Sequence, residues 1–129
     1  MKHSVILTIT SLLSILFFTF HLTDDIVRGF EKGGLSNLIG GVLISVGWLY
    51  GTLVLAERRS GYVIMLLGSL LSLAVPVIHM KGTGVGVASG IANSSGGFFF
   101  VWTLIALGVT GLFSVILSAH GLSRATYNR

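Results

Sequence analysis

The sequence has no cysteine, a single proline and only four acidic residues among its 129. The missing cysteine excludes disulfides, thiolate-bound metals, covalent haem attachment and cysteine nucleophiles together. Charged residues make up 9% of the chain, against about a quarter in an ordinary soluble domain. So few charges cannot cover a water-exposed surface, and lipid is expected to cover much of this one. The formal charge of +4 does not point to nucleic acid, because the eight Lys and Arg residues are scattered between hydrophobic blocks and form no patch.

What is abundant is apolar length. Hydrophobic residues are 53% of the chain and the mean hydropathy is +0.94. A hydrocarbon core about 30 Å thick takes about 20 apolar residues in a helix, and somewhat fewer at the short end. Four stretches free of Asp, Glu, Lys, Arg and His meet this length, at residues 4–20, 38–56, 61–78 and 98–119. They predict an all-α protein: one domain over residues 1–129, built as a bundle of four transmembrane helices. The first stretch follows Lys2 and His3 as a signal peptide would. It is longer than a signal core, however, and Phe20, His21 and Leu22 after it are too large for a cleavage site. A retained first helix is expected.

Orientation follows from the basic residues of the short connections, which are richer on the cytoplasmic side. Lys2, Arg58, Arg59, Arg124 and Arg129 fall on one side, and Arg28, Lys32 and Lys81 on the other. Both termini and a tight turn at 57–60 are therefore expected in the cytoplasm, with loops 21–37 and 79–97 outside. Ile26, Val27 and Phe30 are spaced for a short interfacial helix that would stop at Gly33-Gly34. Residues 80–97, rich in Gly and Ser, read as a flexible loop.

Small residues recur every fourth position: Gly41 and Ser45, Gly47 and Gly51, Gly68 and Ser72, Ser114 and Ser118. Such spacing lets helix backbones approach closely in lipid, where apolar surface alone does not drive association. Packing within the bundle is the expected use. Pro76 is expected to bend the last turn of the third helix.

The most informative stretch is His21-Leu22-Thr23-Asp24-Asp25-Ile26-Val27-Arg28. In a continued helix, positions three, four and seven apart share a face. His21, Asp24 or Asp25, and Arg28 would then align at the outer boundary, where His79 ends the third helix. Two imidazoles with one or two carboxylates are a ligand set for a divalent metal such as zinc, manganese or iron. The same set can pass protons, with a carboxylate orienting a histidine. The simpler expectation is an Asp24–Arg28 ion pair, an end cap from Asp25 or Thr23, and two unremarkable interfacial histidines.

Other signals carry less. Gly84-Val85-Gly86 with Gly90 lacks the strand, the following helix and the lysine of a phosphate-binding loop. Asn93-Ser94-Ser95 fits a glycosylation acceptor, which matters only in a eukaryotic secretory membrane. Glu57 has Arg58 and Arg59 beside it for local pairing. Trp102, Tyr62 and Phe98-Phe99-Phe100 are placed as interface anchors, and Trp48 and Tyr50 as packing residues between helices. No ionisable residue lies within any of the four stretches. That argues against a proton-coupled antiporter, which keeps such a group inside the bilayer.

The stretches His21-Leu22-Thr23-Asp24-Asp25 and Ser95-Gly96-Gly97-Phe98-Phe99-Phe100-Val101-Trp102-Thr103 resemble those of small bacterial four-helix membrane proteins without an assigned function. The resemblance implies a helical bundle in a bacterial cytoplasmic membrane and brings no activity with it. The sequence favours a non-enzymatic protein, an oligomer or an accessory subunit of a larger membrane complex, with the lipid bilayer as its main partner. The alternative is a metal- or proton-handling site of His21, Asp24, Asp25 and His79 at the outer face. A third reading gives that cluster acid–base work on a lipid-soluble substrate, and would require a pocket opening beside it.

Overall fold

A computed structural model describes residues 3–29, 34–81 and 96–127. The chain is all-helical, with α1 at His3–Val27, α2 at Gly34–Leu53, α3 at Arg59–Lys81 and α4 at Gly97–Tyr127. All four are long and apolar enough to cross a membrane. Neighbours in sequence pack as neighbours in space, and α4 closes the bundle against α1. α1 and α3 also touch across the middle, more thinly than any adjacent pair. One end of the bundle gathers His21, His79 and Phe100. The other gathers His3 and His120, whose rings lie 5.2 Å apart.

The buried positions follow a seven-residue repeat. α1 buries Leu7, Ser11, Ser14, Ile15, Phe18, His21 and Asp25, and α2 buries Gly41, Ser45, Trp48, Gly51 and Thr52. α4 buries Gly97, Phe100, Thr103, Leu104, Ala106, Leu107, Gly111, Ser114, Ser118 and Gly121, the extra positions flanking the same seam. Steps alternating between three and four are the seam of left-handed helix packing. The seam is small and hydroxyl-rich, while Val5, Ile9, Leu13, Leu16 and Phe20 of α1 point outward. This reverses the polarity of a soluble bundle, in which the apolar stripe faces inward.

Most hydroxyls in the seam are satisfied, Ser118 being an exception. Trp48 Nε1 donates to Ser11 Oγ at 2.8 Å, and Ser11 Oγ lies 2.8 Å from Thr52 Oγ1. Ser69 Oγ donates to Ser114 Oγ at 2.7 Å, and Ser72 Oγ to the Leu107 carbonyl at 3.1 Å. Each such bond ties two helices at a level where small side chains let them come close. The small pairs serve this packing: Gly51 faces Ile64, Gly68 lies under the Trp48 indole, and Gly111 faces Ser72. Gly47, by contrast, has open space beside it.

Helix ends differ from the expected ones. Beyond Phe20, α1 forms the continued helix and not a separate short interfacial one. It runs unbroken to Val27 and ends at Gly29, whose φ of 72° closes the last turn. The α2–α3 turn falls at residues 54–58, so Arg59 already belongs to α3. There Gly61 is indispensable, since a Cβ at that position would meet the Leu55 carbonyl. α3 continues past Pro76 to Lys81 and so carries His79 into the bundle. Tyr50 is 53% exposed and points outward, not between helices. Tyr62 and Phe100, expected at an interface, are buried, Tyr62 against Gly121. The glycine loop and Asn93-Ser94-Ser95 lie outside the described residues.

Candidate metal centre

α1 delivers His21 and Asp25 one turn apart, both on its buried seam and 2% and 7% exposed. α3 delivers His79, and α4 delivers Phe100 and Thr103 beneath them. His21 Nε2 lies 3.6 Å from Asp25 Oδ2, and His79 Nε2 lies 3.3 Å from the same oxygen. One ligand atom from each of the three residues fits within a span of 4.8 Å. The fully buried Phe100 ring packs against both imidazoles, at 4.8 Å from His21 and 5.6 Å from His79. It fixes their tilt and closes the inner side of the site.

The hydrogen bond below His21 assigns its tautomer. Thr103 Oγ1 donates to the Phe100 carbonyl at 2.9 Å, which uses its only proton. The contact of 3.2 Å between Thr103 Oγ1 and His21 Nδ1 must then be donated by Nδ1–H. That leaves the Nε2 lone pair directed at Asp25, and Nε2 is buried with no hydrogen-bond partner. Two acceptors now face each other at 3.6 Å. A shared cation, a shared proton or a water donating to both makes that arrangement favourable.

Asp24 stands apart from this group. Its Oδ2 accepts from Arg28 Nε at 2.8 Å, an i,i+4 ion pair on the next face of α1. The Arg28 guanidinium in turn lies over Gly96, at the start of α4. The four residues singled out in sequence thus resolve into a triad of His21, Asp25 and His79, and a separate Asp24–Arg28 pair.

A cavity of about 200 Å³ adjoins the triad, walled by Phe18, Leu22, Val75 and Ile78. It lies between α1 and α3, whose contact is thinner than that of any adjacent pair of helices in the bundle.

Phe100 and Thr103 were not expected here. Phe100 sits in a Phe-Phe-Phe run, and Thr103 is one of many hydroxyls on the helices. Their role depends on which face of α4 meets α1, and the sequence of α4 alone does not set that.

No family model, no curated protein and no solved structure matches this chain.

Proposed function

We propose that the chain is a multi-pass protein of a cell membrane that holds a divalent metal ion on His21, Asp25 and His79. The spacing of the three donors carries this reading. With bonds of roughly 2.0–2.1 Å, the edge of a tetrahedral site is about 3.4 Å. The two nitrogen-to-oxygen separations, 3.3 and 3.6 Å, bracket that value, and the three donors together lie within 4.8 Å. Two neutral nitrogens and one carboxylate oxygen suit zinc, and three protein ligands leave one position open, as in reactive rather than structural zinc sites.

A shared proton fits less well. Charge-assisted N–H···O bonds run at roughly 2.7–2.9 Å, and both contacts to Asp25 are longer. Thr103 holds the distal nitrogen of His21, the outer-shell support that metal-ligating histidines usually have.

The outward apolar faces and the polar seam support insertion in lipid. The balance of basic residues supports cytoplasmic termini and a site at the outer boundary. The resemblance noted above makes the bacterial cytoplasmic membrane the natural setting.

Metal analysis of the purified protein is the test. One zinc per chain is expected in the wild type and in Asp24→Asn, with loss in Asp25→Asn and His79→Ala. A wild-type protein that neither retains zinc nor takes it up on titration would sink the reading.

The accessory-subunit reading rests on a different face. On α2, Gly40 and Gly47 have no neighbour within van der Waals contact of an added Cβ. Gly47 lines a shallow apolar groove with Leu43, Ile44 and Leu67. A helix of a second chain can approach closely there. Crosslinking in native membranes tests this, and a strictly monomeric species with no partner would remove it.

A further inference from the structure

We infer that the open coordination position takes an amphiphile, which presents an anionic oxygen to the metal and lays an apolar body between α1 and α3. The inference rests on the metal reading and names the ligand of that same site. Two neutral imidazoles and one carboxylate leave a divalent ion with a net charge of +1, which favours an oxygen anion as the fourth ligand. Apart from the edge formed by His21, Asp25 and His79, the cavity beyond that position is apolar, with Phe18, Leu22, Val75 and Ile78 as its walls. Its volume of about 200 Å³ is several times the roughly 30 Å³ share of one water molecule. Water filling it would find few hydrogen-bond partners on those walls, whereas a hydrocarbon chain or ring needs none.

The direction of access agrees. Every residue lining the cavity belongs to α1 or α3. α2 meets α3 closely near the opposite end, at Trp48 on Gly68 and Gly51 on Ile64. At the level of His79, α2 contributes nothing to the cavity wall among the described residues. The side chain of Ile78 is 64% exposed there. The cavity therefore opens sideways between two helices, onto the surface that lipid would cover.

Cobalt(II) in place of zinc gives a visible spectrum that reports its ligands, and the test uses the full-length protein in nanodiscs. Dodecanoate should shift the cobalt spectrum, and dodecanol at the same membrane concentration should not. Ile78→Trp, which narrows the cavity without touching a metal ligand, should take up cobalt normally and weaken the dodecanoate response about tenfold or more. Normal cobalt uptake by this variant also shows that it is folded. Cobalt binding without a dodecanoate response would overturn the inference and leave the metal reading standing. A response equal in Ile78→Trp, or equal for dodecanol, would overturn it as well. Failure of cobalt to bind at all would remove the metal reading itself, and this inference with it.

Discussion

His21 and Thr103 are 82 residues apart and meet through Nδ1 and Oγ1 at 3.2 Å, both fully enclosed. The contact orients the imidazole from below, and the Thr103 hydroxyl can accept from it because its own proton is engaged with the Phe100 carbonyl. Removing that acceptor frees the ring to rotate or change tautomer. Thr103→Val should weaken zinc binding about 10- to 100-fold, the usual effect of losing an outer-shell partner. Thr103→Ser should bind nearly as the wild type. Competition against a chromogenic chelator reads both, and equal affinity for Val and Ser would show that Thr103 only packs.

Asp24 and Asp25 are adjacent in sequence and should separate by function. Asp25→Asn should abolish zinc uptake. Asp24→Asn should leave uptake unchanged and lower thermal stability by no more than about 1 kcal/mol, the worth of an ordinary i,i+4 ion pair. Parallel zinc titrations and melting curves distinguish them. Loss of zinc in Asp24→Asn would mean that Arg28 or its partner enters the site.

The indole of Trp48 is 2% exposed and donates to Ser11 at 2.8 Å. Ser11→Ala strands that N–H in the seam and also deprives Thr52 of its neighbour. The expected loss is about 1–2 kcal/mol, greater than for Trp48→Phe, which leaves the Ser11–Thr52 contact intact. Unfolding in mixed micelles measures the order, and the reverse order would make the hydrogen bond secondary to packing.

Gly61→Ala should destabilise the α2–α3 hairpin by more than about 2 kcal/mol, because its new methyl meets rigid backbone, the Leu55 and Gly51 carbonyls. Gly47→Ala, with open space around it, should be close to neutral in the monomer. Comparable melting temperatures for the two variants would show that the hairpin can shift at little cost.

The four helices were legible in the sequence because each is a long run without charge, and length against the thickness of a hydrocarbon core is a robust measure. Their ends were less so. α1 runs through His21, Asp24 and Asp25 because helix continuation needs only local backbone bonds, and polar side chains do not interrupt them. The choice between Asp24 and Asp25 was in fact written in the chain. Ser11, Ser14, Phe18, His21 and Asp25 step by three, four, three and four, and Asp24 falls off that seam. Reading it requires knowing that small and hydroxyl residues, not the apolar ones, mark the inner face. Aromatic positions misled for the same reason: Tyr62 and Phe100 are buried because Gly121 and the two imidazoles accept their rings, which are contacts between distant segments. His79 was visible as a helix-end residue, but its approach to His21 depends on α3 continuing past Pro76.

The thin contact between α1 and α3 has a consequence in polymer terms. A metal ion on His21, Asp25 and His79 would be a removable cross-link between those two helices, closing the chain from Asp25 to His79 into a loop that contains all of α2. Such a link adds stability only while the ion is bound, by about 2.7 kcal/mol when free zinc is a hundred times its dissociation constant. The melting temperature should then rise with zinc concentration and fall back with a chelator, and His79→Ala should lose that dependence. The hairpin of α2 and α3 would be held to α1 by an ion at one end and by the Trp48–Ser11 bond lower down. Stripping the ion removes that direct link at the end where the cavity lies and leaves α1 and α3 joined mainly through α4.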